Sequence, residues 1–169
     1  MVNRGTFRGT FTVMLDTDEY QALPAPARHL LLTMKQSRIN NMAGIFVCRA
    51  GEIGILADQT GMNAKAIGVA LKDLEKGNWI LRSGGLVWIR NQLKFDPWIT
   101  LNNDNHAAGV LKVLSSLPND SLIVKYCQYY DLANPFGWPP DPIPLGSPIT
   151  DTDTDTDTDT DTDLSLIHI

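Results

Sequence analysis

The sequence predicts a mainly helical α+β domain that ends in a tail unable to bury anything. Three observations carry this. Apolar residues recur at helical spacing in five separate blocks. A Gly-Gly pair at Gly84-Gly85 divides two short β-like runs, a hairpin signal. From Asn134 onward the chain turns proline-rich and then becomes an Asp-Thr repeat.

The elements follow in order. Thr6 to Leu15 is rich in Thr, Phe and Val and is expected to be a strand or an arm against the domain. Leu23-Pro24-Ala25-Pro26 opens the first long helix, because proline suits a first turn whose N–H groups have no partner. Ala27, Leu30, Leu31 and Met34 form its apolar stripe, and Asn40-Asn41 ends the pattern. Gly44 to Cys48 is a short β-like run. A second helix starts at Ala50, turns Ile53, Leu56 and Ala57 to one side, and closes at Thr60-Gly61. Asn63 is a suitable cap for a third helix with Ile67, Ala70, Leu71 and Leu74 buried, which stops at Lys76-Gly77-Asn78. Two strands, Trp79 to Arg82 and Leu86 to Arg90, flank Ser83-Gly84-Gly85. Helical spacing returns at Ala107, Val110, Leu111 and Leu114. It returns again at Ile123, Tyr126, Cys127 and Tyr130, where Ser121 is the expected cap.

Domain organisation follows from this order. Residues 1–98 hold the core domain and its N-terminal arm, and 99–133 add a two-helix extension. Residues 134–150 are expected to be a linker, with six prolines between Asn134 and Pro148. Residues 151–169 carry the repeat and the terminus; the Asp-Thr repeat itself, 151–163, is expected to be disordered because like charges at alternate positions repel and it holds nothing apolar to collapse. The terminus Leu164 to Ile169 (LSLIHI) resembles the in-frame translation of a transposon-end adapter used in sequencing libraries. On that resemblance the end is artefactual and a further C-terminal domain is expected to be missing.

The net charge of -5 is concentrated in the tail. Seven of nineteen acids lie between Asp151 and Asp163, so residues 1–150 carry twelve acids against fourteen Lys+Arg, a net of +2. That balance is compatible with nucleic acid and well below the most basic binding domains. No apolar run approaches the length of a bilayer span, and no apolar segment follows Arg4 and Arg8, so a cytoplasmic location in a bacterial host cell is expected, with no membrane partner. Cys48 and Cys127 stand outside any metal-site spacing and are expected to be reduced.

The block from Ala50 to Arg90 reads as helix, tight turn, helix and hairpin. This order predicts a winged helix-turn-helix: a three-helix core plus a β-hairpin wing, here expected with two additional C-terminal helices and a disordered tail. In such a domain the second helix of the pair enters the major groove while the first braces it across the backbone. Asn63, Lys65, Val69, Lys72 and Lys76 lie largely off the apolar face of that helix and are the candidate DNA-binding residues. Asn pairs with adenine through two hydrogen bonds, and Lys contacts guanine or phosphate. Arg82 and Arg90, on the two hairpin strands, are candidate phosphate contacts. The bland alternative for each is a solvated face or a cap: Lys72 and Lys76 pairing with Asp73 or Glu75, and Asn63 closing the helix.

Leu56-Ala57-Asp58-Gln59-Thr60-Gly61-Met62 and the run from Ala70 to Ile80 resemble many winged helix-turn-helix proteins. The wider frame comprises Leu23 to Arg28, Asn41 to Phe46, Gly85 to Asn91, Asp96-Pro97-Trp98 and Ser116-Leu117-Pro118. Together these resemble the N-terminal domain of bacteriophage replication proteins, including replisome organisers and helicase-loader-like initiators. The resemblance spans roughly residues 10–130. It implies binding to double-stranded origin DNA, and a linker leading to a part that contacts a replicative helicase or helicase loader. Gly51, Gly54 and Gly68 depart from ordinary helix composition, where glycine costs about 1 kcal/mol against alanine. Gly68 either admits a close partner or merely weakens its helix.

No catalytic residues, cofactors or metal ligands are expected. His29, His106 and His168 have no second ligand at useful spacing. No phosphate-binding glycine loop is present, and the acidic cluster Asp16, Asp18 and Glu19 reads as solvated. Two other readings of the same elements stay open: a transcriptional regulator, with homodimerisation through the two C-terminal helices, and a replisome interaction module that makes no base contacts.

Overall fold

The structure is a computed structural model that describes residues 12–96 and 98–137. Thr12–Asp16 forms a 3-10 turn, and a short helix α1 follows at Asp18–Gln21. The expected strand or arm takes this form where it is described, and residues 6–11 lie outside the described residues. The reason is local. Thr17 caps α1 through the Tyr20 N–H, its hydroxyl donates to the Met14 carbonyl, and Gln21 donates to the Leu15 carbonyl. These bonds occupy backbone groups that a strand would need, and they drop Met14 into the core at 1% exposure.

Helix α2 runs Ala25–Gln36 with Pro26 in its first turn. The stripe Ala27, Leu30, Leu31 and Met34 is wholly buried. Strand β1 (Ile45–Val47), helix α3 (Ala50–Thr60) and helix α4 (Ala64–Lys76) follow, then the hairpin β2 (Ile80–Ser83) and β3 (Leu86–Ile89). Helices α5 (Asp104–Ser115) and α6 (Ser121–Tyr129) complete the described order. The cap of α6 is Asp120 rather than Ser121: its carboxylate accepts the Leu122 N–H, a stronger acceptor than a hydroxyl one residue later.

The three strands form one antiparallel sheet in the order β1-β3-β2. Its two faces alternate by residue. Phe46, Ile80, Val87 and Ile89 join α2, α3 and α4 in one core. Ile45, Leu86 and Trp88 join α5 and α6 in a second. Helices α5 and α6 therefore cover the sheet, and their buried residues Val110, Leu114, Leu122, Ile123 and Tyr126 are spent there. Those buried residues are thus unavailable for the homodimer surface expected of these helices. The first residues of the expected linker also fold back. Asn134 to Gly137 close a turn, and Phe136 packs on the second core. The remainder of the linker and the repeat lie outside the described residues.

A buried polar network ties the α2–β1 loop to the segment after β3. Asn40 donates to the Gln92 side chain at 2.7 Å and to the Lys35 carbonyl at 3.2 Å, and Gln92 donates to the Asn41 carbonyl at 2.9 Å. Gly44 has φ +71°, and a Cβ there would press on Gln92 at 2.8 Å, so the close approach needs glycine. Tyr126 donates to the Ala43 carbonyl at 2.7 Å and pins α6 to the same loop. Cys48 borders the first core and Cys127 lies in the second, both as free thiols. No helix of the described residues is long and apolar enough to cross a membrane.

Lys35 is buried at the end of α2, and burial lowers its pKa to about 8 while the nearby Asp96 carboxylate pulls it upward. An unfolded lysine keeps its proton to about pH 10.4. Between those values the unfolded chain binds more protons, so stability from this group rises with pH; below pH 8 the penalty is present in full. Lys35→Met is expected to stabilise the fold at neutral pH. Its advantage over wild type should shrink across that alkaline window in denaturant titrations, where the buried thiols and tyrosines common to both proteins cancel. An advantage constant with pH contradicts this account.

Candidate nucleic-acid interface

Helix α4 owes its position to its ends and its apolar side. At its start the Asn63 carboxamide accepts the Ala66 N–H at 2.9 Å. The preceding turn is made by Gly61, which closes α3 with φ +71° as its position predicts. At its finish Trp79 donates to the Leu74 carbonyl and Asn78 to the Glu75 carbonyl, with Asn78 at φ 61°. This is the paired closure of a Schellman motif, made by asparagine. Gly77 stays right-handed and gives way instead to Trp79 and Leu23, whose atoms a Cβ would meet at 3.0 and 3.2 Å. Ile67, Ala70, Leu71 and Leu74 are buried against the first core.

Opposite that buried side stand Lys65, Val69, Lys72 and Lys76, spaced i, i+4, i+7 and i+11. All four are exposed, Val69 at 54%. The three lysines enter no ion pair among the described residues. Lys72 and Lys76 are helical neighbours of like charge, an arrangement that costs a few tenths of a kcal/mol in an isolated helix. The only acids on α4, Asp73 and Glu75, flank the stripe and leave it uninterrupted. Gly68 sits beside it, and a Cβ added there would meet nothing within 4 Å. Packing within the chain therefore does not demand glycine at that position.

The hairpin is short. Gly84 and Gly85 form its tip with φ +55° and +81°, as a two-residue turn of this hand requires. A Cβ on Gly84 would collide with the Asp120 carboxylate, and one on Gly85 would meet the Arg49 side chain at 2.9 Å. Arg82 shares the sheet face of Ile80, so its side chain runs toward α4 and pairs with the Glu75 carboxylate. That hydrogen bond raises the Arg82 pKa, and partial burial opposes it. Between α4 and the hairpin lies a groove of about 330 Å³, lined in part by Cys48, Ile53, Leu71, Glu75 and Arg82.

The sequence-predicted residues thus separate. Lys65, Val69, Lys72 and Lys76 come together on one open face, with Asn63 at its leading end. Asn63 is first a cap, its oxygen committed to the backbone, so pairing with adenine through two bonds would give up that cap. Arg82 stands across the groove and is paired with Glu75. Arg90 corrects the expectation: it lies beyond β3 at 6% exposure, with its guanidinium 5.6 Å from the Tyr129 ring centroid and reaching the Asn78 carbonyl. The last position of the second run belongs to the interior because the Tyr129 ring and the Asn78 carbonyl close around its guanidinium. Sequence reasoning passed over Arg49, exposed beside the hairpin tip. The available signal was a cation just before a helix, where the dipole disfavours it.

Asn63→Ala is expected to cost about 1 kcal/mol of stability through the lost cap. Asn63→Ser should recover most of it in the same denaturation series. Equal losses in both variants would exclude the capping role.

No protein-family profile matches the chain, and neither a curated protein nor a solved structure matches it.

Proposed function

We propose that this chain is the DNA-binding domain of a phage or prophage replication initiation protein. In this reading residues 25–90 are a winged helix-turn-helix, with α3 as the bracing helix, α4 as the recognition helix and the β2–β3 hairpin as the wing. The observation that carries it is the stripe of Lys65, Val69, Lys72 and Lys76, exposed, unpaired with any acid among the described residues and backed by a buried apolar face. Like charges and an exposed valine are both mildly unfavourable in a free helix, and a duplex offsets both. Phosphates neutralise the lysines, and a thymine methyl group covers an apolar side chain. The major groove is wide enough for one helix held from behind in this way. Arg82 supplies a phosphate contact from the hairpin. The replication role, with a replicative helicase or helicase loader as partner, is supported by the resemblance of the frame from Leu23 to Pro118 to bacteriophage replication proteins.

A second reading, a replisome interaction module without base contacts, draws on Val69 itself. A large apolar side chain centred among charges also suits a protein partner.

Titration of duplex DNA at two salt concentrations tests the first reading. Salt-dependent binding to origin fragments is expected. Lys65→Ala with Lys72→Ala should weaken it at least tenfold and flatten the salt slope by about 1.8. Absence of binding at low salt to any such fragment rejects it, and capture of a host replication protein with DNase present would favour the second. Gly68→Ala should stabilise the free domain by about 0.5–1 kcal/mol while weakening duplex binding, because the added methyl occupies space that only a partner uses. A stabilised variant that binds as well as wild type removes close approach at Gly68.

A further inference from the structure

The basic surface is interrupted at one point. Arg82 is the only charged residue from Ile80 to Ile89, so the hairpin's whole formal charge resides on it. That charge is met by Glu75, an acid in the last turn of α4, where the helix dipole disfavours a carboxylate. Both residues line the groove between helix and hairpin. The pair is open to solvent, with side-chain exposures of 35% and 33%. An exposed pair of this kind contributes little to stability and exchanges readily with another anion. The tip beyond it, Gly84-Gly85, has no side chain with which to reach a phosphate.

We propose that Glu75 limits phosphate access to the hairpin. Its carboxylate occupies Arg82 as an internal anion, and a DNA phosphate must displace it. The inference rests on the duplex-binding reading and assigns a role within that site. Glu75 lowers sequence-independent affinity and leaves the α4 stripe to determine where the domain stays bound.

The test uses the full chain and a short duplex of random sequence, titrated at low and moderate salt. Glu75→Gln keeps a hydrogen-bonding side chain and removes the charge. It is expected to tighten binding about threefold to tenfold at low salt. The salt slope should steepen by at most about 0.9, as the hairpin contact that Glu75 leaves partly occupied becomes fully occupied. The gain must vanish when Arg82→Gln is added. Unchanged or weaker binding by a folded Glu75→Gln protein overturns the inference, as does a gain that survives loss of Arg82. Lys65→Ala with Lys72→Ala in the same assay separates the failures. If those changes weaken binding and Glu75→Gln does not strengthen it, the role of Glu75 alone is wrong. If no protein in the set binds, the duplex-binding reading falls and this inference with it.

Discussion

Strand β3 has no solvent side, and the rest of the domain is arranged around that constraint. Val87 and Ile89 face the α2–α3–α4 core, while Leu86 and Trp88 face α5 and α6, all of them buried. A slip of one residue would exchange the two sets and place Trp88 in a space shaped for Val87 or Ile89. Register is therefore held from both sides at once. The flanking strands inherit it through the pairs Phe46 with Val87 and Arg82 with Val87. The Asn40–Gln92 network then joins the loop before β1 to the segment leaving β3, so the sheet is braced at one end by hydrogen bonds as well as by packing.

This arrangement decides what α4 can offer. Ile67, Ala70, Leu71 and Leu74 are consumed by the first core, and the stripe from Lys65 to Lys76, Val69 included, is what remains outside. The hairpin lies close beside it rather than projecting freely, because α6 reaches its tip through Asp120. The result is a flat basic helix face with a shallow groove along one flank, whose two walls are joined by Glu75 and Arg82. A modest net charge outside the tail is consistent with such a surface: the cations on α4 are collected, whereas the hairpin's cation is offset.

Much of this was legible from local pattern. Helix α4 was readable in both its ends and its buried side, because Asn63 and the spacing of Ile67, Ala70, Leu71 and Leu74 act within a few residues of one another. The glycine turn of the hairpin was readable for the same reason. Other features were not. Arg90 carries the same side chain as Arg82, and only the path of the chain after Ile89 turns it inward to Tyr129. The partner of Arg82 is Glu75, across a helix end and a strand start, where no periodicity links the two. The stretch after Phe11 has strand-like composition, yet side-chain bonds from Thr17 and Gln21 coil it into a turn.

By itself the sequence determined helices α2 to α6, the hairpin and the lysine-bearing face of α4, since spacing and capping are short-range properties set by backbone geometry and burial period. Tertiary structure alone decided that α5 and α6 are packed onto the sheet, that one arginine of the hairpin region faces out and the other in, and that Glu75 meets Arg82. Those outcomes depend on which surfaces are brought together in space. Distances between residues far apart along the chain are fixed by packing the two cores on one strand, and no local preference encodes them.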